Sequence, residues 1–135
     1  MLIHEDLTKQ VIGAAIEVHR ALGPGLMESA YEECLCHELN LRGVKFKRQV
    51  PVPVKYKGLA LDCSYRLDLL VEDAVIVELK CVEKIDGIHQ AQLLTYMKIT
   101  NTPIGLLINF NVEVLTRGIV RKALKEVLRA SVPPL

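Results

Sequence analysis

The sequence predicts a single domain of the α/β or α+β class, in which helices flank a central mixed β-sheet. Helical periodicity in residues 5–43 is followed by strand-like apolar runs and one further helical segment in residues 44–110. The chain has 135 residues, which suits one hydrophobic core, so residues 1–135 are predicted to form one domain. Only 4% of the residues are aromatic, so the core is expected to be aliphatic. The predicted order of elements is α-α-β-β-β-α-β.

Two helices are predicted at the start of the chain. Residues 5–22 carry apolar side chains at helical spacing and end at the helix-breaking sequence "GPG" of residues 23–25. A second helix is predicted from about Met27 to the region of Gly43, because glycine is favoured just after the C-terminus of a helix.

Residues 44–57, "VKFKRQVPVPVKYK", alternate apolar and polar residues and are predicted to form a half-buried strand with a basic outer face. The stretch between Leu39 and Leu61 contains no acidic residue and six basic ones: Arg42, Lys45, Lys47, Arg48, Lys55 and Lys57. Two interpretations stay open. The strand is either a lysine-protected edge, which Pro51 and Pro53 favour, or a surface that faces phosphate groups.

Residues 61–71 and 74–82 are predicted to form a β-hairpin with Glu72 and Asp73 in its turn. A helix is predicted from Asp86, as its N-cap, to residue 100, followed by a buried strand at residues 103–110. No element is predicted for the tail of the chain.

The second strand of this hairpin carries Glu78 and Lys80, which share one face because strand side chains alternate. An exposed ion pair is the simple interpretation, but Asp68 on the preceding strand offers another. If the loop has an odd number of residues centred near Asp73, Asp68 lies directly opposite Glu78; a two-residue loop would place them on opposite faces. Two carboxylates so close repel each other unless a proton or a divalent cation lies between them.

Three short motifs occur in order along the chain: "GLMESAY" at residues 25–31, Asp68 followed by "ELK" at residues 78–80, and "QLLTY" at residues 92–96. Together they resemble the PD-(D/E)XK nuclease superfamily and, within it, the small GxxExxY proteins. The third motif is similar to the Q-x-x-x-Y motif of RecB-like nucleases. The resemblance implies a restriction-endonuclease-like core.

The activity that the resemblance implies is that of a nuclease, a hydrolase that cleaves phosphodiester bonds in DNA or, less favoured, RNA. Its cofactor would be Mg²⁺ or Mn²⁺. The implied metal ligands are Asp68, Glu78 and the backbone carbonyl of Leu79, and Glu28 would reach the site through a water molecule or a second metal.

The remaining implied roles concern water and substrate. Lys80 would orient the attacking water and offset charge on the phosphate, and Gln92 would steer the metal ligands or the substrate backbone. The candidate substrate contacts are Tyr31, Tyr96, His89, Lys45 and Lys47. Core packing is the alternative for both tyrosines, and a solvated helix position is the alternative for Gln92.

A second functional class stays open: a nucleic-acid-binding or regulatory protein that keeps the nuclease fold without cutting. Junction resolvases of the superfamily are similarly small and act as dimers, so a homodimer is among the expectations. The apolar runs are far shorter than the roughly 18 to 20 residues that span a bilayer, and the start lacks the features of a signal peptide. We therefore expect a cytoplasmic protein without membrane contact.

The cysteines and the other histidines carry no predicted function. Cys34, Cys36, Cys63 and Cys81 lack metal-ligand spacing and are predicted to be reduced, buried thiols without an iron–sulfur cluster. His4, His19 and His37 are predicted to lie on helix surfaces.

Overall fold

The fold is described by a computed structural model, which covers residues 4–62 and 65–125. Its helices are α1 (Glu5–Leu22), α2 (Glu28–Leu41) and α3 (Gly87–Thr100), with a short 3₁₀ helix at Leu115–Gly118. Its strands are β1 (Phe46–Pro51), β2 (Lys55–Tyr56), β3 (Leu59–Ala60), β4 (Arg66–Val71), β5 (Val75–Lys80), β6 (Ile104–Asn109) and β7 (Ile119–Ala123). The predicted α1 is confirmed, and α2, α3 and β6 lie within the predicted segments.

Five strands form a mixed sheet in the order β1-β4-β5-β6-β7. All neighbours are antiparallel except β5 and β6, which are parallel and are joined by α3. Strands β2 and β3 form a separate two-stranded hairpin. The mixed sheet with helices confirms the predicted fold class, whereas β7 and the 3₁₀ helix were not predicted.

Helices cover both faces of the sheet. Helices α1 and α2 pack on one face, where Leu69 and Val77 contribute to an aliphatic cluster. Helix α3 packs on the other face through Leu93 and Met97, against side chains that include Ile76. Even-numbered residues of β5 therefore point toward α3. Among residues 4–62 and 65–125, no helix has both the length and the apolar character needed to cross a membrane.

The predicted single strand over residues 44–57 is wrong, because β1 ends at Pro51 and Lys55 and Tyr56 belong to a different sheet. Gln49 has a positive φ of 51°. Phe46, before it, packs on the α1–α2 side, whereas Val50 and Val52, of the same parity, pack on the α3 side. After β1 the chain leaves the main sheet, and Tyr56 is exposed rather than buried. Alternation alone could not show this reversal of faces.

The loop of the β4–β5 hairpin has an odd number of residues. Val71 pairs with Val75, so residues 72–74 form the loop, and Asp73 lies at its centre. Positive φ values of 48° at Glu72 and 54° at Asp73 allow a tight turn, closed by a hydrogen bond from the Ala74 N–H to the Val71 carbonyl at 3.0 Å. Ala74 is the additional residue that sets the register required for Asp68 to face Glu78.

The burial of the cysteine and histidine side chains differs in part from the prediction. Cys36 is buried, and burial raises the pKa of its thiol to about 11. Cys34 and Cys81 are only half-buried, which corrects the prediction for them, and Cys63 lies outside the described residues. His19 is buried, not on a helix surface, and its Nε2 atom lies 2.8 Å from the Val112 carbonyl oxygen.

Gly118 permits a close approach between the 3₁₀ helix and β6. A Cβ atom at this position would lie 2.5 Å from the Asn109 carbonyl oxygen, a backbone atom that cannot move independently. We expect Gly118→Ala to lower the free energy of unfolding by about 1 to 3 kcal/mol. Gly87→Ala is the matched control, because a Cβ there meets no atom within 4 Å. Thermal melts that gave equal Tm values for the two variants would contradict this close approach.

Candidate active site

The carboxylates of Asp68 on β4 and Glu78 on β5 meet where these two strands separate. The Asp68 N–H donates a hydrogen bond to Glu78 Oε2 at 2.8 Å, and the Leu79 N–H donates one to Asp68 Oδ2 at 2.9 Å. Each carboxylate thus accepts a backbone amide of the opposite strand. The regular pairing of the strands ends one step earlier, at Leu69 and Val77. The odd loop therefore brings the two side chains together.

Both carboxyl groups resist ionisation. Burial and the nearby Asp68 charge raise the pKa of Glu78 to about 8. Burial also raises the pKa of Asp68, and the negative charges of Glu32 and Glu28 add to the effect. Backbone hydrogen bonds and the positive charge of Lys80 oppose both shifts without outweighing them. The pair, which titrates as a unit, favours an additional proton or another cation between its oxygens.

The backbone of Leu79 faces the opening between β4 and β5. The Phe110 N–H donates to the Lys80 carbonyl at 2.9 Å, so the backbone of Lys80 is directed to β6. Backbone groups alternate along a strand, so those of Leu79 are directed to β4. The Leu79 carbonyl consequently lies on the same edge as the carboxylate pair. Its side chain is buried in the core, so the carbonyl is the group that can act as a ligand.

Lys80 lies on the same face of β5 as Glu78, and it is half-buried. Its positive charge partly offsets the rise in the pKa values of Asp68 and Glu78. Within residues 4–62 and 65–125, however, its ammonium forms no direct ion pair. The charge of Lys80 thus acts on the carboxylates while its N–H donors stay available to another group.

Glu28 brings a third carboxylate to the end of β5. It is the first residue of α2, and its Oε1 atom accepts a hydrogen bond from the Cys81 N–H at 3.1 Å. Cys81 directly follows Lys80. Glu28 is exposed, so it can approach a ligand from the solvent side of the site.

Tyr31 holds the start of α2 in place. Its hydroxyl donates to the Gly23 carbonyl at 2.6 Å and accepts from the Leu26 N–H at 3.1 Å. Its ring stacks on Phe110 with 4.4 Å between centroids. Tyr31 is fully buried, which favours the core-packing alternative for this residue, and its contact with substrate stays a prediction. In the motif at residues 25–31, the tyrosine fixes the loop before the helix that carries the glutamate.

Asn109, which the sequence did not single out, fixes the segment after β5. Its Nδ2 donates to the Val82 carbonyl at 2.8 Å, and its Oδ1 accepts from the N–H groups of Val82 and Asn111, each at 3.1 Å. Asn109 is only 2% exposed. Its position at the end of an apolar strand was the available signal, because a buried amide requires several partners.

Glu32 is a second residue that the sequence did not single out. It lies one helical turn after Glu28 and raises the pKa of Asp68 by its charge. Arg48 donates to Glu32 Oε2 at 2.8 Å, and Gln49 donates to Glu32 Oε1 at 2.9 Å. The spacing of four residues from Glu28 was the signal in the sequence. Its contacts with β1 were not predictable from that spacing.

The three candidate residues on α3, Gln92, Tyr96 and His89, differ in their surroundings. Gln92 is half-buried and makes no hydrogen bond with the described residues, so its predicted role stays a prediction. Tyr96 is buried in the apolar cluster between α3 and the sheet, which favours its core-packing alternative, and its substrate contact stays a prediction. The Nδ1 atom of His89 accepts a hydrogen bond from the Asp86 N–H at 3.2 Å. His89 therefore caps the N-terminus of α3.

Lys45 and Lys47 are not brought to the carboxylate pair. Lys47 forms an ion pair with Asp73 at 3.2 Å, in the turn at the far end of the β4–β5 hairpin. The Lys45 carbonyl accepts a hydrogen bond from the Glu72 N–H in the same turn. Both lysines are exposed, but the structure does not support their predicted contact with a phosphate held at Asp68.

A family model of the PD-(D/E)XK nuclease superfamily matches residues 5–122 of this chain. The chain therefore belongs to the PD-(D/E)XK nuclease superfamily. Proteins of this superfamily are generally nucleases and typically use divalent metals, and the fold is consistent with their restriction-endonuclease-like core. No match was found among curated proteins or among solved structures. Membership of the narrower GxxExxY group stays a prediction.

The raised pKa of Glu78 makes the stability of the metal-free protein depend on pH. An unfolded glutamate titrates near its usual value of about 4.3, whereas the pKa of folded Glu78 is about 8. Between these values the folded state binds more protons than the unfolded state, so the free energy of unfolding falls as pH rises.

We expect Glu78→Gln to reduce this fall between about pH 5 and about pH 8, by an amount on the order of 1 to 3 kcal/mol. Glu113→Gln, at an exposed position, should leave the pH dependence unchanged. Urea unfolding in EDTA at several pH values measures the difference. Parallel curves for wild type and Glu78→Gln would contradict the raised pKa.

Proposed function

We propose that the protein is a divalent-metal-dependent phosphodiesterase that hydrolyses DNA. The observation that carries this proposal is the crossed pair of hydrogen bonds that brings Asp68 and Glu78 together at the open end of β4 and β5. A water molecule would attack phosphorus, and the P–O bond to the leaving oxygen would break. A cytoplasmic location and a homodimer remain part of this proposal.

The residues at the opening fit a hard divalent cation. Asp68 and Glu78 each use one oxygen for a backbone amide, which leaves the other oxygen of each for a ligand. The Leu79 carbonyl would supply a third oxygen, and Glu28, whose charge raises the pKa of Asp68, would act through water. In the described residues, no group of three or more His, Cys, Asp or Glu side chains can hold a metal ion. The set of two carboxylates and one carbonyl suits Mg²⁺, which keeps several water ligands.

The cation, when bound, would supply charge that stabilises the phosphate oxygens and favours ionisation of a nearby water. Lys80 contributes separately, because its ammonium has donors that no carboxylate occupies among the described residues. It can hydrogen-bond the attacking water or a phosphate oxygen. Gln92 belongs to α3, the helix that packs on the face of the sheet to which Glu78 points, and it would orient the substrate backbone.

Substitution of the site residues should separate metal binding from cleavage. Lys80→Ala should lower the cleavage rate by about 100-fold or more while largely keeping metal affinity, because the lysine is not a ligand. Asp68→Asn and Glu78→Gln should remove both properties, because each loses an anionic oxygen. The assay compares duplex DNA, single-stranded DNA and RNA with Mg²⁺, with Mn²⁺ and with EDTA, and calorimetry measures metal binding.

Glu83→Gln is a suitable control, because Glu83 is an exposed carboxylate close in sequence to the site but outside it. This variant should cleave as the wild type does. Wild-type cleavage by Lys80→Ala would contradict the role of the lysine. A wild-type protein that binds DNA but cuts it with no divalent cation would support the non-catalytic alternative instead.

A further inference from the structure

The hairpin formed by β2 and β3, residues 55–60, is a two-stranded sheet separate from the main one and is named here the arm. Its two central residues, Lys57 and Gly58, have positive φ values of 46° and 87°, as a tight two-residue hairpin turn requires. Tyr56 and Leu59 are cross-strand partners on either side of this turn. So short a turn fixes the direction in which these two side chains are presented.

The base of the arm is anchored in the core, whereas its tip is not covered. Val52 is buried beneath α3, and the Leu61 N–H donates to the Val54 carbonyl at 2.9 Å. At the tip, Tyr56 is 62% exposed and Leu59 is 60% exposed. A two-stranded hairpin is marginally stable alone, so an anchored arm with an uncovered apolar tip indicates a binding surface.

The arm lies at the carboxylate end of the sheet. Pro51, just before the arm, pairs with Arg66, two residues before Asp68, and the Val52 N–H donates to the Tyr65 carbonyl at 2.9 Å. At about 3.3 Å per residue, Tyr56 lies at most about 30 Å from Asp68. Fewer than about ten stacked nucleotides cover this span, because stacked bases are about 3.4 Å apart.

The basic stretch between Leu39 and Leu61 has two of its three unpaired charges on the arm. Three of its basic residues are paired with acidic side chains: Arg42 with Glu38, Lys47 with Asp73, and Arg48 with Glu32 and Glu33. The other three, Lys45 before β1 and Lys55 and Lys57 on the arm, form no ion pair within the described part of the chain. Lys57 lies over the Tyr56 ring instead, with its ammonium 5.3 Å from the ring centroid. The arm thus combines an exposed aromatic ring with available positive charge.

We propose that the arm binds unpaired bases of the substrate, with the Tyr56 ring stacked on a base and Lys55 and Lys57 near the adjoining phosphates. Base stacking on aromatic side chains tolerates any sequence, and cations beside the ring follow the backbone. The inference rests on the proposed function and adds the class of substrate. The substrate would be single-stranded DNA or DNA with an unpaired stretch near the cleaved bond.

The first test is binding of a fluorescein-labelled single-stranded oligo-dT of about 20 nucleotides, in EDTA so that no cleavage occurs. We expect Tyr56→Ala to weaken binding by about 5- to 100-fold. Tyr56→Phe keeps the ring and should bind as the wild type does. Leu41→Ala is the matched control for an exposed apolar residue, because Leu41 is 69% exposed and precedes β1 at the opposite end of that strand.

The second test uses the absence of tryptophan from the sequence. Tyr56→Trp introduces a single indole at the tip, and stacking on a base should quench its fluorescence when oligo-dT is added. Leu41→Trp should show no quenching. This measurement does not depend on loss of binding, so it remains informative even if Tyr56→Ala disturbs the arm.

The outcomes separate the arm from the active site. Equal binding by Tyr56→Ala and wild type, with no quenching of Tyr56→Trp, overturns the inference, even if the wild type cleaves DNA. Loss of a dimer in Tyr56→Ala on sedimentation, with unchanged DNA binding, also overturns it and assigns the tip to contact between copies. Binding that depends on Tyr56 without any cleavage supports the arm and contradicts the proposed nuclease activity.

Discussion

The site depends on two hydrogen bonds between β4 and β5, from the Asp68 amide to the Glu78 carboxylate and from the Leu79 amide to the Asp68 carboxylate. In a regular sheet, the backbone amides of Asp68 and Leu79 would donate to carbonyl oxygens of the neighbouring strand. Those carbonyl oxygens would then be occupied and could not bind a ligand. Here the two carboxylates take the amides, and regular pairing ends at Leu69 and Val77. The strands can separate without leaving these amides unpaired. The cost is a buried Glu78 beside a half-buried Asp68, both with raised pKa values, which a cation can offset.

Several contacts hold the chain around this opening. The loop of residues 72–74 sets the register, Asn109 binds both backbone groups of Val82, and Glu28 accepts the Cys81 amide. Tyr31 in turn fixes the loop before α2, so the position of Glu28 depends on a buried hydroxyl. The contacts of Asn109 and Glu28 come from β6 and α2, and both hold the residues that directly follow β5. The lysine at that end is therefore positioned by its neighbours' backbone contacts rather than by an ion pair of its own.

Most of the fold was predictable because its elements are periodic and locally determined, as with α1 and the apolar β6. The Asp68–Glu78 pair was predictable as well, since it needs only strand alternation and one assumption about the loop. The errors have a different origin. The positive φ of Gln49 reverses the faces of β1, and no periodicity signals it. The ion pair of Lys47 with Asp73 and the stacking of Tyr31 on Phe110 join residues distant in sequence, so motif spacing could not reveal that these side chains are already occupied.

The meaning of a short motif such as Glu-x-Lys therefore depends on structure outside the motif. With a two-residue loop, strand alternation would place Asp68 and Glu78 on opposite faces, and Glu78 would face α3 without its partner. Ala74 changes only the register, yet it determines whether the two acids form one site. A buried, unpaired glutamate beneath α3 would be strongly destabilising. The same register that makes the site possible is thus also the one in which Glu78 can be buried, because the Asp68 amide then supplies its hydrogen bond.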